Sequence, residues 1–207
     1  MDRAIYRWVN RLADNTSWAH GVFKLYAGAG IAVFALLLVV AFVNGRQHDD
    51  PIAVAAAIWA GTAALVALGI GQVVGGAIDR LRPYESMSDV HVLVARSTDF
   101  SFPSDHATVA GAVAMGLLLA NRRWGSAAAI AAVLMALTRV YVGAHYPGDV
   151  VAGLALGAAV AATGHALFVP VLGRVVSKTA NSALRPLVSA RSNMNRGDTE
   201  RGTPTTT

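Results

Sequence analysis

The sequence contains no cysteine among its 207 residues. This absence excludes disulfide bonds, thiolate metal sites and cysteine nucleophiles. Charged residues are also scarce, at 14% of the chain against 55% hydrophobic residues, whereas a soluble domain carries roughly 25% charged residues. The length suits one compact domain, and the apolar excess indicates an integral membrane protein.

Long apolar runs are what the sequence has in abundance. Each is close to the roughly 20 residues that a helix needs to cross a bilayer. The runs predict spanning helices over residues 22–43, 52–78, 104–120, 126–144 and 149–172. Alanine and glycine dominate them, and small residues let membrane helices approach closely. The expected fold class is therefore all-α, a polytopic membrane helix bundle of about five spans.

The first 20 residues are predicted to form an interfacial amphipathic helix rather than a signal peptide. Arg3, Arg7 and Arg11 alternate with apolar residues, without the continuous apolar core of a signal peptide. Such a helix lies in the plane of the membrane surface. Residues 21–173 then form the embedded domain, and residues 174–207 form a basic tail whose last 20 residues are predicted to be disordered.

The net charge of +5 does not indicate nucleic-acid binding, because topology and anionic lipid headgroups account for basic residues in loops and in the tail. Five spans place the long loop 79–103 and the turn at Pro147 on one face. The turn at Asn44, the turn 121–125 and the tail share the other face. That second face is the more basic one and is predicted to be cytoplasmic. The N-terminal arginines and Lys24 favour the opposite orientation.

Ionisable and hydroxyl residues from separate parts of the chain gather on the first face. They are Arg82 in the long loop, Ser104, Asp105 and His106 at the start of the third span, Arg139 and His145 at the end of the fourth, and Asp149 at the start of the fifth. Each alone has a structural explanation, such as a helix cap. Ionisable groups at the ends of membrane helices are costly, so their concentration on one face indicates function.

These residue types suit phosphate chemistry. Two arginines offer forked donors that match phosphate oxygens, and the start of the third helix is an anion site. One histidine can attack phosphorus while a second protonates the leaving oxygen. A carboxylate four residues after a histidine, as Asp149 is after His145, can hold the ring in one tautomer.

The spacing of these residues resembles the type 2 phosphatidic-acid phosphatase superfamily, which also includes vanadium haloperoxidases. The family pattern is a Lys, six residues and Arg-Pro; then Pro-Ser-Gly-His; then Ser-Arg, five residues, His, three residues and Asp. The matching residues here are Arg82-Pro83, Pro103-Ser104-Asp105-His106, and Thr138-Arg139 followed by His145 and Asp149. The chain departs from the pattern at Gly75, where the Lys would stand, at Asp105 and at Thr138.

The resemblance implies a role for each matching residue. His145 would be the nucleophile that forms a phosphohistidine, Asp149 would orient it, and His106 would be the general acid and later the base for water. The residues implied in phosphate binding are Arg82, Ser104, Asp105 through its backbone, and Arg139. The resemblance requires no metal or other cofactor, since the arginines and the helix end provide the positive charge.

The substrate class follows from a narrower likeness. The Pro-Ser-Asp-His form and the preceding residues 99–102 resemble the bacterial undecaprenyl-pyrophosphate phosphatases, which implies a polyprenyl diphosphate substrate at the outer face of the cell membrane. A phosphatidic acid or phosphatidylglycerophosphate phosphatase of the same family is the alternative. A small membrane transporter is the alternative from another class, but it predicts polar residues in the middle of helices, whereas these lie at helix ends.

Two departures from the family pattern leave alternatives open. Without the Lys, Arg80 or another basic group would have to provide the lost phosphate contact. A carboxylate at Asp105 would repel a phosphate. It would either turn away as a helix cap, pair with Arg80, Arg82 or Arg139, or bind a proton or a cation together with a diphosphate.

Overall fold

The structure is a computed structural model that describes residues 1–180, 182 and 185–190. Its helices are α1 (Asp2–Asp14), α2 (His20–Ala29), α3 (Ile31–Gln47), α4 (Pro51–Ile78), α5 (Pro83–Ser86), α6 (Asp105–Ala120), α7 (Arg122–Tyr141), α8 (Pro147–Ala180) and α9 (Arg185–Val188), with a 3-10 turn at Ser17–Ala19. No strand occurs in the part of the chain that the structure describes. The all-α fold class is therefore confirmed.

Length and composition qualify three helices as membrane spans, namely α4, α7 and α8. The first predicted span, residues 22–43, is not one straight helix, because residues 17–29 and α3 are bent by 57° at Gly30; this pair counts as a fourth span only if both helices cross the membrane together. The helix α6 is apolar but has only 16 residues. It is therefore about 24 Å long, against a hydrocarbon core of about 30 Å. The predicted number of five spans is approximate, because the fifth depends on this short helix.

The ends of the predicted spans agree with α4 and α6 to within one residue, whereas α7 is displaced. Residues 121–125 are not a turn, because Asn121 accepts hydrogen bonds from two backbone N–H groups and starts the helix at Arg122. At the other end α7 stops at Tyr141 rather than residue 144. Gly143 has a φ of +80°, a left-handed conformation that ends the helical path.

The last span is longer than predicted. α8 begins at Pro147, since the fixed φ of proline suits the first turn of a helix, and it continues to Ala180. The division expected between the embedded domain and the tail at residue 173 therefore falls inside α8. Of the C-terminal residues predicted to be disordered, residues 191–207 lie outside the described residues.

α6 lies at the centre of the bundle and contacts α4, α7 and α8. Its contact with α8 is closest at Gly157, where an added Cβ would lie 2.0 Å from the carbonyl oxygen of Thr108. Small residues permit such backbone contact in membrane bundles. The two helices also meet at their first turns, where the backbone N–H of Ser104 donates to the carbonyl of Asp149 at 3.1 Å. Close packing of α6 on α8 thus brings two predicted site segments together.

The N-terminal helix α1 lies across the end of the bundle where α6 and α8 begin. Residues three or four positions apart lie on the same side of a helix, and in α1 they form three distinct faces. The buried face consists of Tyr6, Asn10 and Ala13. An exposed apolar stripe consists of Met1, Ile5, Trp8 and Leu12, and an exposed basic stripe consists of Arg3, Arg7 and Arg11. Its place at the membrane surface stays a prediction.

Candidate active site

All seven residues singled out by the sequence lie at one end of the bundle, where α4 and α7 end and α6 and α8 begin. Five are buried: Arg82, Ser104, Arg139, His145 and Asp149. The other two, Asp105 and His106, are partly buried in the first turn of α6. Burial of this many ionisable groups is unusual unless they are paired or functional.

His145 is held through both nitrogens of its ring. Nδ1 lies 2.8 Å from the carbonyl oxygen of Ser101, and Nε2 lies 3.2 Å from Nη1 of Arg82. A carbonyl oxygen can only accept, so Nδ1 carries the hydrogen and Nε2 carries the lone pair. Nε2 is therefore the atom that can attack phosphorus, beside a guanidinium group that can bind the phosphoryl oxygens.

The surroundings of His145 keep its ring neutral. Burial, together with the positive charges of Arg139 and Arg82, holds the pKa of His145 well below its ordinary value. The neutral imidazole is the nucleophilic form, and the same two positive charges attract an anionic substrate. The ring is thus ready for attack without first losing a proton.

Asp149 contacts His145 less directly than the resemblance implies. Its Oδ2 lies 3.9 Å from Nδ1 of His145, which is too far for a hydrogen bond. Oδ2 instead accepts from Oγ of Ser101 at 2.6 Å and from the backbone N–H of Tyr146 at 2.9 Å. Oδ1 accepts from Nη1 of Arg80 at 2.6 Å. Asp149 therefore acts on the ring through Ser101, whose hydroxyl it holds and whose carbonyl binds Nδ1.

The two arginines of the motif are held by the protein to different degrees. Arg82 donates to the carboxylate of Asp99 at 2.8 Å, to the Asp99 carbonyl at 3.1 Å and to the Ala144 carbonyl at 3.2 Å. Within the described residues, Arg139 makes one long hydrogen bond, from Nη1 to the carbonyl of Ala27 at 3.4 Å. Arg82 is therefore fixed in place, and most donors of Arg139 are available to a ligand.

Four buried side-chain atoms have no partner among the described residues, and two of them belong to the site, namely Nε of Arg139 and Oγ of Ser104. Buried polar groups in native proteins nearly always have one. Ser104 is the N-cap residue of α6, yet its side chain makes no capping hydrogen bond, so capping does not explain it. Together with the free N–H groups at the start of α6, these donors are suited to bind an oxyanion.

His106 shares the electrostatic environment of His145. The charges of Arg139, Arg82 and Asp99 act on it, and His106 in turn acts on His145. Both histidines thus lie near the same pair of guanidinium groups. His106 therefore lies within electrostatic range of His145, and its role as general acid stays a prediction.

Asp105 turns towards α4 rather than towards the arginines. Its two carboxylate oxygens lie 3.0 and 3.1 Å from Nε2 of Gln72, which donates to them. No ion pair joins Asp105 to Arg80, Arg82 or Arg139 within the described ranges. Its carboxylate is therefore held by α4 and not by the arginines that would bind a phosphate.

The position of the missing Lys is filled by backbone. A Cβ at Gly75 would lie 2.9 Å from the carbonyl oxygen of Phe102 and 3.3 Å from the side chain of Phe100. The segment before α6 thus packs directly on α4 where a Lys side chain would begin. Arg80 does not replace that Lys, because its guanidinium group binds Asp149 and Asp2.

Several residues of the site were not found from the sequence. They are Asp2, Arg80 in its contact with Asp149, Asp99 and Ser101. Ser101 binds Nδ1 of His145 through a backbone carbonyl, which every residue type possesses, so its residue type does not reveal this contact. The only available signal was the carboxylate of Asp99 shortly before the Pro-Ser-Asp-His segment.

Residues 56–171 match the family model of the PAP2 superfamily. The chain is 38% identical over 94 residues to the undecaprenyl-diphosphatase of Sulfolobus acidocaldarius. The aligned residues cover 45% of this chain and 46% of that protein. It is 30% identical over 158 residues to the putative undecaprenyl-diphosphatase YbjG of Escherichia coli, covering 76% of this chain and 77% of that protein.

A solved structure has a similar fold. The PAP2 type phosphatidylglycerolphosphate phosphatase from Bacillus subtilis superposes with a TM-score of 0.53 at 23% identity. The superposition covers 78% of this chain and 83% of that one.

Proposed function

The chain belongs to the PAP2 superfamily and is a multi-pass membrane phosphatase, and we propose that it hydrolyses the terminal phosphate of an isoprenoid diphosphate such as undecaprenyl pyrophosphate. The observation that carries this proposal is the pair of unpartnered buried donors, Ser104 Oγ and Arg139 Nε, beside the neutral ring of His145. The substrate class is supported by the names of two relatives, which are undecaprenyl-diphosphatases.

In the first step, Nε2 of His145 attacks the terminal phosphorus. A nitrogen–phosphorus bond forms while the bond from phosphorus to the leaving lipid phosphate breaks, and its electron pair stays on the leaving oxygen. His106 gives that oxygen a proton. Arg82, Arg139 and the hydroxyl of Ser104 bind the other phosphoryl oxygens and stabilise the charge that develops on them.

In the second step, water replaces the histidine. His106, now neutral, takes a proton from the attacking water, and the nitrogen–phosphorus bond breaks with its electron pair returning to Nε2 of His145. The phosphorylated ring is cationic in between. The carbonyl of Ser101, 2.8 Å from Nδ1, and the carboxylate of Asp149, 3.9 Å from it, stabilise that charge.

A second candidate substrate is a phospholipid monoester such as phosphatidylglycerophosphate or phosphatidic acid. The fold likeness to the Bacillus subtilis phosphatidylglycerolphosphate phosphatase favours it, and the phosphoryl-binding donors would serve both substrates equally. A transporter is disfavoured, because the polar cluster lies at the ends of the helices around His145 and not along a path through the bundle.

One assay separates these candidates. Purified protein in detergent is given undecaprenyl pyrophosphate, undecaprenyl phosphate, phosphatidic acid and phosphatidylglycerophosphate in parallel, and phosphate release is measured with and without EDTA. We expect the diphosphate to be hydrolysed fastest, and equally fast with EDTA. A faster reaction with a phospholipid would favour the second candidate, and restoration of a chelated enzyme by Mg²⁺ would contradict the metal-free mechanism.

The phosphohistidine is tested by rapid acid-free quench after mixing with labelled substrate. Label should appear on the wild-type protein and should be lost in acid, because the nitrogen–phosphorus bond is acid-labile. His145→Ala should abolish both the label and turnover. His48→Ala is the matched control, since His48 is an exposed histidine in the α3–α4 connection, at the opposite end of the bundle. Label or turnover in His145→Ala would overturn the assignment.

A further inference from the structure

Arg80 joins two carboxylates from distant parts of the chain. Its Nη1 lies 2.6 Å from Oδ1 of Asp149, and its Nη2 lies 2.5 Å from Oδ2 of Asp2 on α1. The other oxygen of Asp2 accepts from the backbone N–H of Gly148 at 2.8 Å. Because Gly148 precedes Asp149, these contacts form a closed ring at the start of α8.

Arg80 is also bound to the segment that holds the nucleophile. Its carbonyl accepts from the backbone N–H of Ser101 at 2.9 Å, and its guanidinium carbon lies 4.1 Å from the centre of the Tyr146 ring. Ser101 donates its hydroxyl to Asp149 and accepts from Nδ1 of His145. A continuous set of hydrogen bonds therefore runs from Arg80 to the ring that attacks phosphorus.

Other contacts hold α1 against this part of the site. The ring of Tyr6 lies 5.5 Å from that of Tyr146, and its hydroxyl donates to the carbonyl of Gly143 at 3.3 Å. Asn10 donates to the carbonyl of His91 at 2.7 Å and accepts from its backbone N–H at 2.8 Å. α1 thus contacts both the loop that carries His145 and the long loop that carries Arg80 and Arg82.

From these contacts we propose that Arg80 is a positioning residue for the phosphatase reaction, and that Asp2 on α1 holds Arg80 in place. The inference rests on the proposed function, because the position of Asp149 matters only if His145 is the nucleophile. The side chain of Asp149 is 0% exposed, and a fully buried carboxylate needs a cationic partner. Arg80 is that partner, and it fixes the oxygen of Asp149 that Ser101 does not hold.

Arg80 acts through Asp149 and not on the substrate. Both of its terminal nitrogens are engaged by carboxylates, so it has little left to offer a phosphate. Loss of a group that orients the nucleophile lowers kcat, whereas loss of a substrate contact that is equal in the ground and transition states raises KM. The two roles therefore give different kinetic results.

The test uses the full-length protein with undecaprenyl pyrophosphate and, separately, para-nitrophenyl phosphate. We expect Arg80→Ala to lower kcat by about 10–100-fold, the equivalent of one charged hydrogen bond, with KM nearly unchanged. Arg80→Lys should restore part of kcat. Asp2→Asn keeps an acceptor for Gly148 but loses the charge, so it should lower kcat less than Arg80→Ala does.

The double variant Asp2→Asn with Arg80→Ala should be no slower than Arg80→Ala alone, because Asp2 acts through Arg80. The matched control is Arg7→Gln, which removes an exposed arginine from α1, the helix that carries Asp2. It should leave kcat unchanged. Thermal unfolding of each variant separates a kinetic effect from a failure to fold, and the nearly isosteric Asp2→Asn provides the result if Arg80→Ala does not fold.

Three results would overturn the inference. They are an unchanged kcat in folded Arg80→Ala, a rise in KM with kcat unchanged, and additive losses in the double variant. In each of these cases an active wild-type protein would leave the proposed function intact. A wild-type protein inactive on both substrates would overturn the proposed function, and this inference with it.

Discussion

At the scale of single residues, the proposed nucleophile, His145, is surrounded by charges of both signs. Arg82 and Arg139 face His145 from the long loop and from α7, His106 faces it from α6, and the carboxylate of Asp149 faces it from α8. Burial is the largest influence, and the two guanidinium groups add to it, so the pKa of His145 lies well below its ordinary value. The ring therefore keeps its lone pair in mildly acidic solution.

We predict that Arg139→Gln moves the acid limb of the kcat/KM profile to higher pH. Removing a positive neighbour raises the pKa of His145, so the protonated, non-nucleophilic ring appears at a higher pH. The measurement is a pH–rate profile on one lipid substrate, in which the position of the limb is compared and not the height of the plateau. Arg96→Gln, at an exposed arginine of the long loop, should leave the limb in place. An unmoved limb in Arg139→Gln would contradict the electrostatic account.

The hydroxyl of Ser104 allows a second residue-scale prediction. It is buried without a partner in the described part of the chain and caps nothing, so Ser104→Ala should not lower the melting temperature. It should lower kcat/KM about 10-fold, the equivalent of one hydrogen bond to a charged group. Asn121→Ala is the contrasting variant, because that side chain does cap α7, and its loss should cost about 1 kcal/mol of stability without changing catalysis. A destabilised Ser104→Ala with normal kcat/KM would mean that Ser104 is structural.

At the scale of elements, the contact between α4 and the segment before α6 decides what can stand at position 75. Gly75 and Gly76 are neighbours in α4, yet an added Cβ would lie 2.9 Å from the Phe102 carbonyl at the first and 3.7 Å from the Phe100 ring at the second. The first distance requires the backbone to move, whereas the second is ordinary contact. Position 75 therefore has no room for a side chain, whereas position 76 does.

We predict that Gly75→Ala lowers the free energy of unfolding by the roughly 1–3 kcal/mol that overpacking costs, and lowers the melting temperature with it. Gly76→Ala should be neutral or stabilising, because alanine favours a helix over glycine by about 1 kcal/mol. Gly75→Lys should lower activity, although it restores the family residue, because it displaces the backbone that leads into Ser104. Thermal unfolding and phosphate release measure both effects. A gain of activity in Gly75→Lys would show that the position is open to a phosphate-binding side chain.

At the scale of the whole molecule, the candidate active site and the basic connections lie at opposite ends of the bundle. His145 lies between the end of α7 and the start of α8, whereas Arg46 is in the last turn of α3 and Arg122 and Arg123 start α7. Basic residues near spans are retained in the cytoplasm. We therefore propose that the active site faces the periplasm or cell exterior, where it would act on a lipid carrier released there during cell-wall synthesis.

The absence of cysteine makes this orientation directly testable. A single cysteine is introduced as Ser88→Cys, in the exposed part of the long loop, or as Gln47→Cys, exposed at the other end of the bundle. A membrane-impermeant thiol reagent on intact cells should label the first and spare the second, and both should be labelled after the cells are broken open. Labelling of Gln47→Cys alone on intact cells would place the active site in the cytoplasm.

The sequence by itself determined the membrane class, the helices α4 and α6, and the seven residues at one end of the bundle. These depend on local properties: the length of apolar runs, and residue types at short spacings. The predicted end of α7 is wrong because Gly143 adopts a positive φ and stops the helix earlier. The predicted start is wrong because Asn121 caps the helix and begins it at Arg122.

Only the tertiary structure decided how the site is held together. Ser101 binds His145 through its carbonyl, Arg80 binds Asp149 and Asp2, and the backbone at Phe102 closes the position beside Gly75. Each contact joins residues that are far apart along the chain. Their proximity results from close packing between helices and from the path of the long loop, which residue type and spacing do not specify.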